Sequence, residues 1–318
     1  MEIQTANLQY YFFSQNLQHP LYRGAVISVK KNNIEGWLFV SPLVIWISLI
    51  ILVPIYIAFE LSLFNVKIIG TSGKFVGIDN YIKLFGKSKF LNASLNSFYW
   101  IIGNAICQTF FAFTIALTIN YNFPGKKIMA NWIILSFIIP TVVVVVIWKL
   151  MLSSSSGVIN SVLIDIGLLD EATGFFSSPN KAFISLVLIN SWRWSPFLAL
   201  IILSGLNSIN REMYEASKVD GANFVQQFLF ITFPNLKSVL FVLGLVGTLL
   251  SFNIFDIIWL ITKGGPSSST TTLPLLIYET AFTKFRISQA ATLSIVTSFL
   301  LLLFSIIFIK SMAPKEDD

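Results

Sequence analysis

The sequence predicts an all-α integral membrane protein with six transmembrane helices and a helix-turn-helix loop between the fourth and the fifth. Three observations carry this prediction. Of 318 residues, 55% are hydrophobic and only 11% charged, with a mean hydropathy of +0.77, whereas a soluble domain is about 25% charged. Apolar runs of about 20 residues, the length that crosses a bilayer as a helix, recur along the chain. One polar connection holds two short helical patterns separated by a glycine. A soluble globule is excluded, and so are disordered or collagen-like chains, which need low hydrophobicity or biased repeats. The net charge of +6 does not point to nucleic acid, because Lys30 with Lys31 and Lys126 with Lys127 are the only adjacent basic pairs and no run can track a phosphate backbone. These charges suit the flanks of spans in a lipid bilayer.

The first apolar run, 37–63, opens at Trp37 and lacks a small-residue cleavage pattern, so it reads as a retained span. Ahead of it, residues 1–36 form a tail whose Tyr10, Tyr11, Phe12 and Phe13 allow either an amphipathic segment on the membrane surface or an unstructured lead. The second run is 98–119 and contains Cys107, the single cysteine, which reads as a small core residue. The third is 128–152, with Lys149 near its end, where it can snorkel to the surface. The fourth, 182–203, carries Arg193; the fifth, 239–262, carries Asn253 and Asp256; the sixth is 290–309. The domain expected is therefore 37–312, with a short tail at 313–318. A zinc or haem site is not expected, since His19 is the only histidine.

Between these runs lie polar connections at 65–97, 153–181, 205–237 and 264–289. The last begins Gly264, Gly265, Pro266 and continues with Ser and Thr, which is turn chemistry. The third is the most specific. Residues 212–219 favour a helix, Asp220 and Gly221 interrupt it, and 222–231 resumes helical spacing, with Phe224, Phe228 and Ile231 on one predicted apolar face. A glycine there supplies the positive backbone angle a sharp turn needs. On spacing alone, the loop reads equally as a connector lying on lipid and as a docking element with an apolar centre and a polar rim. Charge does not orient the chain. With the N-terminus inside, the inner side holds ten basic residues (Arg23, Lys30, Lys31, Lys126, Lys127, Arg211, Lys218, Lys237, Lys310 and Lys315) against nine outside (Lys67, Lys74, Lys83, Lys87, Lys89, Lys181, Lys263, Lys284 and Arg286).

Glu215-Ala216-Ser217, Asp220-Gly221-Ala222, Ile231 and Phe233-Pro234, at this spacing, resemble the signature of permease subunits of binding-protein-dependent ABC importers. Ser217 departs from the usual alanine and Phe233 from the usual leucine. Phe75-Val76-Gly77-Ile78-Asp79-Asn80-Tyr81, Gly157-Val158-Ile159-Asn160, Trp192, Pro196-Phe197, Gly264-Gly265-Pro266, Thr270 to Leu273, Ile277-Tyr278 and Ala281-Phe282 resemble the carbohydrate-uptake branch, with its maltose-type and glycerol-3-phosphate-type importers. The resemblance implies that the glycine-interrupted loop faces the cytoplasm and couples to an ATP-hydrolysing subunit. Both termini are then cytoplasmic, and an extracytoplasmic solute-binding protein delivers solute to the opposite face. It further implies Glu215 as polar anchor, Gly221 as turn, and Ala216 and Ala222 as close-packing residues. The expected partners are a second related permease chain and two ATP-binding cassette subunits. ATP and magnesium belong to those subunits, and no cofactor is expected on this chain, which lacks a G-x-x-x-x-G-K-[ST] loop.

Ionisable groups inside a bilayer are expensive and rarely face lipid. Arg193, Asp256 and Asn253, the last one helical turn before Asp256 and expected on the same face, are therefore candidates for the solute path or for a buried interhelical contact. Arg193 can equally be a counter-ion near Pro196. Trp192 and Trp194 can stack on sugar rings or simply pack between helices. The expected function is import of a sugar, polyol or glycerol-phosphate-like solute, the alternative being polyamines, anions or metals. A membrane-embedded enzyme would cluster His, Asp or Glu at helical spacing, which the spans do not do. A self-contained carrier would show internal repeats.

Overall fold

The computed structural model describes residues 33–66 and 73–312; most of the predicted N-terminal tail and the residues after Met312 lie outside these. Two units are distinguished, 1–56 and 57–318. The first unit contributes most of α1 (Asn33–Leu63), a helix apolar all round that starts four residues before the expected Trp37. Its two prolines, Pro42 and Pro54, sit inside the helix without ending it.

The second unit begins with the last turns of α1 and a short antiparallel hairpin, β1 (Phe64–Asn65) and β2 (Lys74–Phe75), in which Phe64 faces Phe75. Asn80 ties this hairpin to the chain by donating to the Ser62 and Phe64 carbonyls at 2.8 and 3.0 Å, so the Gly77 motif is a structural corner. Then follow α2 (Asp79–Phe85), α3 (Ser88–Asn120), α4 (Lys126–Ile138), α5 (Thr141–Met151), α6 (Val158–Asp165) and α7 (Pro179–Ser208). The chain continues with α8 (Arg211–Val219), α9 (Phe224–Gln227), a π turn (Phe228–Thr232), α10 (Phe233–Asn235), α11 (Lys237–Asn253) and α12 (Asp256–Ile261). It closes with α13 (Leu273–Tyr278), a second π turn (Glu279–Thr283) and α14 (Ile287–Met312).

Among the described residues five helices are long and apolar enough to span a membrane, or six if the bent pair α4 and α5 counts as one. Three of the expected elements change shape. The second span starts ten residues earlier than 98, because the polar residues from Ser88 onward continue the same helix. The third is not straight: the chain bends by 102° between α4 and α5. Pro140 has no N–H to give the helix, and Ile139, as the residue before it, is extended. The fifth breaks at Ile254 and Phe255.

Close helix contact comes from small residues, as expected where lipid gives no hydrophobic drive between helices. Ala112 and Ala116 of α3 are fully buried against Leu198, Ile202 and Leu206 of α7. At Gly205 an added Cβ would stand 2.6 Å from Val239 and 2.7 Å from Leu236, so α7 and the start of α11 touch backbone to side chain there.

Between α3, α7 and α11 lies a buried amide cluster. Asn104 Oδ1 accepts from Asn190 Nδ2 at 2.6 Å and from Gln108 Nε2 at 3.2 Å. Gln108 Oε1 accepts from Ser251 Oγ at 3.2 Å, and the Trp100 indole donates to the Ser251 carbonyl at 2.9 Å. An unmade hydrogen bond in this setting is costly, so the cluster fixes the register of three helices. Asn104→Leu strands the Asn190 and Gln108 amides and is expected to cost about 1–2 kcal/mol, read as a lowered melting temperature of the detergent-solubilised protein.

Candidate functional site

The predicted helix-turn-helix is present, and its local chemistry explains it. Asn210 caps α8 by accepting from the Glu212 N–H at 3.0 Å. At the other end the Ala222 N–H donates to the Ser217 carbonyl and the Gly221 N–H to the Lys218 carbonyl, at 2.9 and 3.1 Å. This is the Schellman pattern, and it requires the left-handed residue that Gly221 supplies with φ +79°. Asn223 and Gln226 then form a reciprocal capping box that starts α9. Pro234 lacks the N–H for a regular turn, and the π turn stands directly before the short helix that contains it.

Side chains fasten the two arms together. Tyr214 Oη and Thr232 Oγ1 are 2.9 Å apart, and Gln227 Nε2 donates to Ser217 Oγ at 3.0 Å. Ser217 therefore has a task of its own in this loop. Its Oγ also donates to the Tyr214 carbonyl. Ser217→Ala, which restores the family residue, is expected to cost about 1 kcal/mol in loop rigidity, measured as faster proteolysis of the loop, with uptake retained.

All eight residues singled out in this loop fall within this one folded element. Glu215 and Ala216 face outward and are exposed, Asp220 caps α8, and Ala222 closes the turn. Ile231 packs with Tyr214 against the α3–α7 core, while Pro234 is exposed. Of the residues expected on one apolar face over 222–231, Phe228 meets Phe113, Ile231 packs on the core, and Phe224, 71% exposed, borders a cavity lined by Leu117, Leu206 and Tyr214. Val219, 88% exposed, ends α8 beside Asp220. Tyr214, Gln227 and Thr232 were not anticipated; the polar pair Tyr214 and Ser217 at i, i+3 was the available signal.

The second candidate group lies between α7 and α12. Arg193 Nη1 stands 3.9 Å from Asp256 Oδ2, the arginine side chain 14% exposed and the aspartate 40%. Arg193 lies 5.9 Å from the Trp194 ring centre, and its Nε is buried without a hydrogen-bond partner. Trp194 packs edge-on to Phe137 of α4, and Trp192 edge-on to Trp148 of α5. Asn253 does not join them. The helix ends at it, Ile254 is extended, and Asn253 Nδ2 bonds back to the Leu249 carbonyl at 2.9 Å. The one-turn spacing to Asp256 thus spans a break and places no common face. The expectation weighted charged residues; the buried amides Asn104, Gln108 and Asn190 were missed because neutral side chains in an apolar run give no charge signal.

Residues 108–315 match the family described as binding-protein-dependent transport system inner membrane component. The chain belongs to this family. It is a multi-pass membrane permease of the ABC importer type. It is 30% identical over 289 residues to a probable ABC transporter permease protein of Brucella suis biovar 1, covering 90% of this chain and 99% of that one. It is 29% identical to the trehalose/maltose transport system permease protein MalF of Thermococcus litoralis, covering 89% and 95%. It is 31% identical to the lactose transport system permease protein LacF of Rhizobium radiobacter, again covering 89% and 95%. The permease fold also matches a bacterial ABC transporter involved in the import of the acidic polysaccharide alginate. That match has a TM-score of 0.75 at 23% identity, covering 87% of this chain and 96% of that one.

Proposed function

We propose that this permease forms, with a second related permease chain, the path by which a sugar, polyol or glycerol-phosphate-like solute crosses the membrane. ATP hydrolysis in two separate cassette subunits, which hold the ATP and magnesium, drives the movement, and an extracytoplasmic binding protein delivers the solute. The observation that carries the reading is the loop 209–235, a doubly capped, internally bonded helix-turn-helix that exposes Glu215, Val219 and Asp220. Its relatives named for maltose and lactose supply the solute class.

Two features of the geometry support coupling through this loop. The loop is stiff, and its ends run directly into α7 through buried Ile209 and into α11 through buried Leu236. Displacement of the loop by a closing pair of ATPases shifts α7 relative to α11. Arg193 on α7 and Asp256 beyond the end of α11 bridge that same gap, so their pairing responds to the motion. Glu215, Ala216 and Asp220 form the contact, and Gly221 sets the angle. In this arrangement the loop and both termini are cytoplasmic.

The test is reconstitution of the chain with its partner subunits, measuring ATP hydrolysis against a panel of loaded binding proteins. Stimulation by a carbohydrate-, polyol- or glycerol-phosphate-loaded protein is expected. Stimulation solely by polyamine-, anion- or metal-loaded proteins overturns the solute class.

A further inference from the structure

At the end of α3 remote from the helix-turn-helix, 33 helical residues or about 50 Å away, a cavity of about 140 Å³ is lined by Lys87, Lys89, Lys284 and Arg286. Among the described residues the one acid bonded within this group is Glu279, whose Oε2 takes both Lys89 at 2.8 Å and Lys284 at 3.3 Å. Lys87 bonds only to the neutral Gln289, at 3.0 Å, and the Arg286 side chain has no hydrogen-bond or ion-pair partner among the described residues. Burial, and then repulsion from Arg286 and Lys83, pulls the Lys87 ammonium below its ordinary pKa. Two long helices, α3 and α14, also begin at this cavity, and neither has an acidic residue in its first turn. Helix N-termini carry partial positive charge, so basic residues there are unfavourable unless an anion balances them.

The rim identifies the setting. Phe85 and Phe285, each next in sequence to a lining residue, are 54% and 68% exposed, and the floor is Leu84, Phe90 and Leu293. Exposed aromatic rings beside a cationic pocket at the ends of two spans set apolar surface and positive charge side by side, the combination that an anionic headgroup with its acyl chains satisfies.

We infer that this cavity binds the phosphate-bearing headgroup of an anionic phospholipid, its acyl chains lying over the apolar floor and rim. The inference is independent of the transported solute. The experiment is native mass spectrometry of the full-length chain purified with its partner subunits, titrated with phosphatidylglycerol or phosphatidylcholine, with and without inorganic phosphate. Phosphatidylglycerol is expected to be retained in preference to phosphatidylcholine. The exposed-residue variant Lys87→Gln/Arg286→Gln is expected to weaken that retention roughly thirtyfold, two charges at about 1 kcal/mol each. The equally charge-depleted control Lys126→Gln/Lys127→Gln is expected to keep it. Equal binding of the two lipids, unchanged binding in the first variant or equal loss in the control overturns the inference. So does displacement of phosphatidylglycerol by inorganic phosphate at matching concentration, which assigns the pocket to a free anion.

Discussion

Gly221→Val is expected to cut solute uptake about tenfold or more, while Gly221→Asn keeps most of it. An added Cβ at Gly221 meets no atom within 4 Å, so the glycine is not there to make room within this chain. What it provides is φ +79°. For a residue with a side chain the left-handed region costs about 1–2 kcal/mol, more for a β-branched one, and asparagine is among the few that tolerate it. One to two kcal/mol is a five- to thirtyfold loss of the correctly turned loop, and tryptophan behaves as valine does. The turn lies outside the predicted spans, so the amount of protein in the membrane stays normal while uptake falls and ATP hydrolysis loses its dependence on solute. Uptake and hydrolysis in proteoliposomes read both effects. If asparagine fails as completely as valine, the requirement is for bare backbone against the ATPase subunit rather than for a backbone angle.

The second large effect is expected at the charge pair. Asp256→Leu leaves Arg193 mostly buried with no carboxylate nearby. An uncompensated arginine at mid-helix costs about 2.5–3.5 kcal/mol on insertion scales. Asp256 is 40% exposed, so part of this is already screened and about 1–2 kcal/mol is expected. The double variant Arg193→Met/Asp256→Leu removes both charges and is expected to restore the melting temperature, since the loss comes from the orphaned charge rather than from the missing bond. Uptake separates the two roles. A double variant that is stable but does not transport identifies the pair as part of the path or its gate; one that is stable and transports shows a structural counter-ion and nothing more.

Much of the architecture was legible in the sequence because crossing a bilayer demands long apolar runs. The turn at Gly221 was legible because few residues other than glycine accept its geometry. The breaks were not. Pro42, Pro54 and Pro196 sit inside continuous helices, whereas Pro140 divides one, and hydropathy assigns all four the same meaning. The Asn253 expectation failed for a related reason: helical spacing was extended across Ile254, where no helix exists. Ionisable residues marked Arg193 and Asp256 singly, without pairing them, and the best-buried polar contacts are the neutral amides around Asn104, visible only once three helices are placed side by side.

The elbow between α4 and α5 has a thermodynamic consequence. Thirteen and eleven residues are about 20 and 16 Å of helix, so neither arm alone reaches across a hydrocarbon core of about 30 Å. Carbonyls ending α4 and amides beginning α5 lose their helical partners between the two ends of this stretch, where lipid offers them none. They need hydration or a polar neighbour at that depth. Phe137, at the tip of α4, touches Trp194, beside Arg193. The elbow therefore packs, through Phe137 and Trp194, against the residue next to Arg193, and two costs imposed by the bilayer, a bent helix and a buried guanidinium, fall in one neighbourhood.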